Sequence, residues 1–189
     1  MRDDDPFRDG LPAIDGGHVR LRSVRPEDDA DLLAVFGSAE HLRYWSHGPL
    51  DDLDAAREYR EGIESGTRDR EFFQWAVTEP DADQLIGTVT LGSWDRPNRR
   101  LEIGFILRPD RVGAGLASGA VRAAIGFASR TMGVHRIEAD VDPENLGSIR
   151  LLERLGFQFE GRLRERWFTF GCWKDSSLYG LLTDEAEWL

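Results

Sequence analysis

The segment Leu101–Ala117, LEIGFILRPDRVGAGLA, constrains the fold of this chain more than any other. A β-rich run, Leu101–Leu107, is broken by Arg108-Pro109-Asp110-Arg111 and passes through Gly113 and Gly115 into a helical pattern from Gly115 to Met132. Leu116, Ala120, Ala124, Ala128 and Met132 recur on one face of that helix, and Gly133 ends it. Arg136–Asp142 (RIEADVD) then alternates as the next strand. Strand, long helix and strand in this order predict a crossover between two parallel strands.

The surrounding pattern is not a serial repeat of that unit. His18–Arg25 reads as a first strand, followed by a helix that opens at Pro26 with Glu27, Asp28 and Asp29 at the positive end of its dipole. Leu32, Leu33 and Phe36 give it an apolar stripe, and Asp51–Ser65 is a second helix. Phe72–Thr78 and Gln84–Leu91 form a hairpin across Glu79–Asp83. Asn145–Leu155 is a helix, and Phe157–Phe170 with Trp173–Thr183 form a closing antiparallel pair turned at Gly171-Cys172. The predicted fold is therefore α/β in the mixed α+β sense. It has a central, mostly antiparallel mixed sheet of about seven strands with one parallel β-α-β crossover, flanked by about four helices. Residues 1–15 read as an acidic N-terminal tail without an apolar stretch, and 16–189 as a single domain.

Composition narrows the function classes. The net charge of −11 disfavours a nucleic-acid partner, which needs clustered Lys and Arg, whereas Lys174 is the one lysine here. No run approaches the roughly 18 apolar residues of a membrane span. Cys172 is the single cysteine, so no intrachain disulfide forms, which suits a cytoplasmic location. The histidines (His18, His41, His47, His135) lack metal-ligand spacing, so no metal is expected.

The chemistry is expected at the glycine-rich helix start. Unpaired N–H groups and the positive end of the helix dipole make such a start a phosphate cradle. Two ligands fit that description. For a dinucleotide, Asp140 stands about 20 residues past the last glycine, as a ribose-binding acid would, but Gly113-x-Gly115-x-x-x-Gly119 misses the fingerprint spacing by one. The other ligand is coenzyme A.

Val112-Gly113-Ala114-Gly115-Leu116-Ala117 resembles the Q/R-x-x-G-x-G/A turn of motif A in the GNAT superfamily of N-acetyltransferases, matching at Gly115 and Ala117. It departs at Val112, where the family has Gln or Arg; Arg111 stands one residue early. Downstream, Asn145-Leu146-Gly147-Ser148 with Gly156-Phe157 resembles the N-x-x-S…G-F segment of that superfamily, in the wording of its RimJ/RimL-like branch, which includes enzymes acetylating ribosomal-protein N-termini. Leu101-Glu102-Ile103-Gly104-Phe105 resembles the A-E-I-G-[YF] strand of that branch, and Phe159-Glu160-Gly161 with Asp175 and Leu178-Tyr179 its closing hairpin. The likeness spans His18–Thr183.

The resemblance implies an acetyl-CoA-dependent N-acetyltransferase that acts by direct attack of a primary amine in a ternary complex. The acceptor it implies first is a protein or peptide N-terminal α-amine. Alternatives are a small amine (a polyamine, amino sugar or antibiotic) and a non-catalytic acyl-CoA-binding module. An α-amine of pKa ~8 is roughly a tenth neutral at pH 7, which makes it the easier nucleophile than lysine. By the same resemblance, Ile106 and Leu107 offer backbone groups to the acetyl carbonyl and the pantetheine arm, an oxyanion-type stabilisation. Val112, Gly113, Ala114, Gly115, Leu116 and Ala117 form the cradle. Asn145 reads both as a helix N-cap and as a contact to the cofactor arm. Ser148 is the candidate acid toward the leaving thiolate, with Tyr179 as second choice, and Glu102 is the candidate base, with Glu165 as second choice. In the loop between the first two helices, Tyr44, Trp45 and His47, flanked by His41, Arg43 and Ser46, are expected to wall the acceptor pocket, together with Trp94. Cys172 has no histidine near it in sequence, so an acyl-cysteine route is disfavoured. The aromatic run Trp167, Phe168, Phe170 and Trp173 reads either as core or as a homodimer face.

Overall fold

The computed structural model describes residues 6–8, 10–186 and 188–189. Eight strands form one sheet in the order β1-β2-β3-β4-β5-β6-β8-β7. In chain order they are β1 (Ile14–Asp15), β2 (Arg20–Ser23), β3 (Phe72–Glu79), β4 (Ala82–Asp95), β5 (Arg100–Leu107), β6 (Arg136–Val141), β7 (Gln158–Thr169) and β8 (Cys172–Leu182). The α-helices among the described residues are α1 (Asp29–Phe36), α2 (Leu53–Asp69), α3 (Leu116–Arg130) and α4 (Leu146–Arg154). All strand pairs are antiparallel except β5–β6, which α3 connects. This is the mixed sheet with one crossover that the sequence pattern predicts. The eighth strand is the two-residue β1, which lies in the segment expected to be a tail.

That segment is anchored where it is described. Phe7 is 1% exposed and stacks on Phe73 at 3.7 Å between ring centroids, with Phe127 edge-on at 5.7 Å. Trp75 Nε1–H donates to the Pro12 carbonyl at 2.9 Å. Burial of one aromatic side chain stabilises by roughly 1.5–3 kcal/mol, which outweighs the fraying expected of an acidic terminus. Residues 1–5 and 9 of the expected tail lie outside the described residues.

Side-chain alternation along the strands divides the core between the two faces of the sheet. Leu101, Ile103 and Leu107 of β5 join Ile137 and Ala139 of β6 against Val121 and Ile125 of α3 and Leu152 of α4. On the other face, Ile106 joins Ala76 and Leu85 beneath Leu32, Val35 and Phe36 of α1 and Ala56 and Ile63 of α2. A buried ion pair fixes the entry to α1. Asp28 accepts from both terminal nitrogens of Arg22 at 2.7 and 2.8 Å and from the Arg25 amide at 2.8 Å. The sequence reads Asp28 as an acid at the positive end of a helix dipole; 3% exposed, it is also the counter-ion of an arginine on the preceding strand. Arg22 is held well above the ordinary arginine range, first by its hydrogen bonds to Asp28, against the opposing effect of burial. The aromatic hairpin is not core: Phe168, Phe170 and Trp173 are 60%, 49% and 61% exposed.

Candidate active site

The site forms where the parallel pair separates. β5 and β6 are in register only over Arg100–Glu102 and Arg136–Glu138. Beyond those residues β5 runs on to Leu107 beside β4, and β6 runs on to Val141 beside β8. Between the diverging ends lie two adjoining cavities. The larger, a cleft of ≈ 670 Å³, lies between Ile106 and Leu107 of β5, the turn before α3 and the exposed side of α4. The smaller, a chamber of ≈ 180 Å³, reaches from Ile103, Gly104 and Phe105 across to Ala139, Asp140 and Val141 and to the β7–β8 hairpin. Arg43, Tyr44, Trp45, Phe105, Asn145 and Ser148 line both, so the two spaces meet at the ends of β5 and α4.

The turn into α3 follows from its glycines. Gly113 and Gly115 hold φ of 90° and 79°, the left-handed region that side chains with a Cβ rarely adopt. No atom lies within 4 Å of where a Cβ would stand at either, so conformation and not crowding requires glycine there. Gly115 is the N-cap and supplies no side-chain acceptor to the first-turn amides. Val112, Gly113, Gly115, Ala117 and Ser118 line the cleft. Of the expected cradle, Ala114 is exposed but lines neither cavity, and Leu116 is buried in the core. Arg111 does not take the place of the missing basic side chain, because it turns away to Glu79 at 3.2 Å. Besides Arg43, the cleft takes its cations from α4, where Arg150 and Arg154, one turn apart, line it together. Nothing in their spacing distinguishes these two from solvated helix charges in sequence.

Asn145 caps α4, its Oδ1 accepting the Ser148 amide at 3.1 Å. The loop ahead of α2 is pinned to β5 by His41, whose Nε2–H donates to the Leu107 carbonyl at 2.8 Å. That bond holds Tyr44 and Trp45 over the junction of the cavities.

Several expected site residues lie elsewhere. Glu102 is exposed and lines neither cavity, since it belongs to the last paired position before the strands separate. His47 is half-buried beside Phe36, Trp45 and Tyr59 and lines neither cavity. Trp94 packs edge-on to Phe7 and Phe73 on the opposite side of the sheet, with Arg96 over its ring. Glu165 sits exposed at a bulge of β7, and Cys172 is exposed at the first position of β8. Tyr179 is buried against Phe159, and burial, with Glu153 adding to it, pushes its phenol above the usual range.

Comparison with known proteins agrees with this architecture. The acetyltransferase (GNAT) domain model matches residues 18–158. The chain is similar to an uncharacterised N-acetyltransferase, p20, of Bacillus licheniformis, 34% identical over 88% of this chain and 94% of p20. It is similar to the spermidine N(1)-acetyltransferase of Escherichia coli K12, 27% identical over 84% of this chain and 82% of that enzyme. Among solved structures, RimJ of Mycobacterium smegmatis in complex with CoA-disulfide superposes with a TM-score of 0.82 at 25% identity, covering 93% of this chain and 88% of that one. The likeness thus reaches beyond the RimJ/RimL-like branch, and the dinucleotide alternative falls away. A GNAT domain model over most of the chain, on a sheet that opens beside a glycine-initiated helix, places this protein in the GNAT family as an acetyl-CoA-dependent N-acetyltransferase.

Proposed function

We propose that the chain transfers the acetyl group of acetyl-CoA to a compact primary amine, the amine attacking the thioester directly while both substrates are bound. The observation that carries this reading is the junction of cleft and chamber at Phe105, Asn145 and Ser148. The cleft suits the cofactor. First-turn amides of α3 without a side-chain cap, with Arg150 and Arg154 opposite, suit a pyrophosphate. Ile106 and Leu107 bring backbone groups of β5 to the cleft where the thioester would lie, and Asn145 borders the same passage. Ser148, at the junction, is the group we assign to protonating the leaving thiolate.

The chamber limits the acceptor. A cavity of about 150 Å³ holds a benzene ring, so ≈ 180 Å³ admits a polyamine arm, an amino-sugar ring or one terminal residue of a peptide. A small cationic amine fits such a space best. A protein N-terminal α-amine is the second reading. Supporting it, the hairpin that lines the chamber with Trp167 also carries the exposed Phe168, Phe170 and Trp173, against which residues following the terminal amine would rest.

Calorimetric titration with acetyl-CoA, with NAD(P) in parallel, tests the cofactor assignment. Binding of acetyl-CoA and not of NAD(P) is expected, and no heat with acetyl-CoA would sink the proposal. Thiol release from acetyl-CoA in the presence of spermidine or an alanine-initiated tripeptide then separates the two acceptor readings.

A further inference from the structure

We infer that Asp140 selects the acceptor by receiving it as an ammonium ion. This rests on the acetyltransferase reading above and names the group that recognises the amine; one proton passes from the held ammonium to solvent before the neutral amine attacks, and a second passes to the leaving thiolate as the amide forms. Ile137, Ala139 and Val141 turn into the core, so alternation puts Asp140 on the other face of β6, at the chamber. Two residues beyond the paired Glu102 and Glu138 stand Gly104 and Asp140, where the strands part. A Cβ at Gly104 would meet no atom within 4 Å, so the floor beside Asp140 is open.

The carboxylate is oriented by two neutral donors and reached by one half-exposed arginine. The hydroxyl of Ser176, a residue 0% exposed, donates to Oδ1, and Trp167 Nε1–H donates to Oδ2 at 3.2 Å. Both donors are uncharged, so they fix the orientation of Asp140 and leave its charge in place. Each carboxylate oxygen accepts about two hydrogen bonds, which leaves one position on each for a ligand. Among the described residues, Asp140 makes one ion pair, to the half-exposed Arg166 with Nε 3.9 Å from Oδ2; at that length and exposure the pair is weak and a substrate ammonium can displace it.

Asp140 differs from the other carboxylates of the chamber in being oriented by two side-chain donors at the point where the strands part. Asp175 is paired with Arg162 at 2.6 Å and accepts the Glu165 amide. Asp142 accepts the Glu144 amide at 2.8 Å in the turn before α4. Of the cations lining the chamber, Arg43 lies over the Tyr44 ring and donates to the Glu40 carbonyl, and Lys174 makes no ion pair with Asp140 within 4.0 Å. A substrate ammonium entering this space loses water and needs a charged acceptor in return. Asp140 is the group placed to supply it.

The test is Asp140→Asn. The amide is nearly isosteric. Its oxygen can face Trp167 while its NH2 donates to the Ser176 hydroxyl, so the fold is retained and the charge is lost. Steady-state acetyl transfer is measured with spermidine, an alanine-initiated tripeptide and n-butylamine, alongside calorimetric binding of acetyl-CoA. The acceptor KM should rise about 10–100-fold, as expected for loss of a charge-assisted hydrogen bond, while acetyl-CoA affinity is unchanged. A second measurement needs no variant. Trimethylammonium should compete with the acceptor in the wild-type chain, and neutral tert-butanol should not. An acceptor KM within twofold of wild type in the folded variant overturns the inference. So does equal inhibition by the two additives, or failure to acetylate any of the three amines while acetyl-CoA still binds. Failure to bind acetyl-CoA is a different outcome, and it overturns the acetyltransferase reading itself.

Discussion

Asn145 caps α4 and lines both cavities, so substitution there separates a role in helix stability from the proposed role in cofactor binding. Its Oδ1 accepts the Ser148 amide at 3.1 Å, satisfying one of the four unpaired N–H groups at the start of α4. Asn145→Ala removes that acceptor and should cost ~1 kcal/mol of stability. For a chain of 189 residues that corresponds to a fall in Tm of about 2–4 °C. Asn145→Asp keeps the cap, because aspartate is as good an N-cap as asparagine and its charge suits the helix dipole. On stability alone, then, Ala should lose and Asp should not. Acetyl-CoA binding should order the variants differently. Asn145 lines both cavities, so Ala removes a neutral contact of about 0.5–1.5 kcal/mol, which is roughly a 2–12-fold loss of affinity. Asp puts a negative charge beside a polyanionic cofactor and should lose more. Urea denaturation and calorimetry on the three proteins read both quantities. If Asp destabilises as much as Ala, the Oδ1 bond is not what holds the start of α4. If both variants bind acetyl-CoA like wild type, the side chain is a cap and nothing else.

Three further outcomes follow from named contacts. Asp28→Ala strands the Arg22 guanidinium, 5% exposed, without its buried partner, and should cost ~3–5 kcal/mol in urea denaturation; Asp83→Ala, at a partner 56% exposed, should cost under ~1 kcal/mol. Gly104→Leu meets no neighbouring atom at its Cβ but extends a side chain into the chamber, so the acceptor's kcat/KM should fall more than tenfold while Tm holds; an unchanged value would mean that the amine enters elsewhere. The third concerns acid stability. Glu160 is held below the ordinary carboxylate range by its hydrogen bond to Arg136, against the opposing effect of burial. A carboxylate depressed in the folded state stabilises above its unfolded pKa and loses that stability as pH falls through the folded one. Its contribution should therefore be constant above about pH 5 and decline below about pH 4. Arg136→Met should flatten that part of the Tm–pH curve, and an unaltered slope would show that the pair contributes nothing measurable.

The expectations that held rest on local patterns, and those that failed depended on tertiary placement. Gly113 and Gly115 announce the start of α3 because left-handed backbone must be written as glycine. Asn145 announces α4 because a cap is a single side chain bonding three residues ahead. Phe7 has no periodic company among its charged neighbours, and what buries it, Phe73 and Phe127, lies far along the chain. Trp94 is an aromatic in a polar loop, which reads equally well as a pocket wall or as an anchor; the nearness of Phe7 decides for the anchor.

Glu102 and Asp140 make the strongest contrast. Both are acids alternating with apolar residues on strands that form the one parallel pair, and both point away from the main core. What separates them is two residues of register. Glu102 stands opposite Glu138 while the strands are still hydrogen-bonded, and Asp140 comes just after they part. Alternation specifies the face on which a strand residue lies. It carries no information about where a strand loses its neighbour, because that depends on how the next strand, β8, draws β6 away from β5 along Ser177–Leu182. A carboxylate becomes available to a substrate where that separation opens a cavity, so the chemistry of this site is set by a feature of sheet geometry and then by the residue that stands beside it.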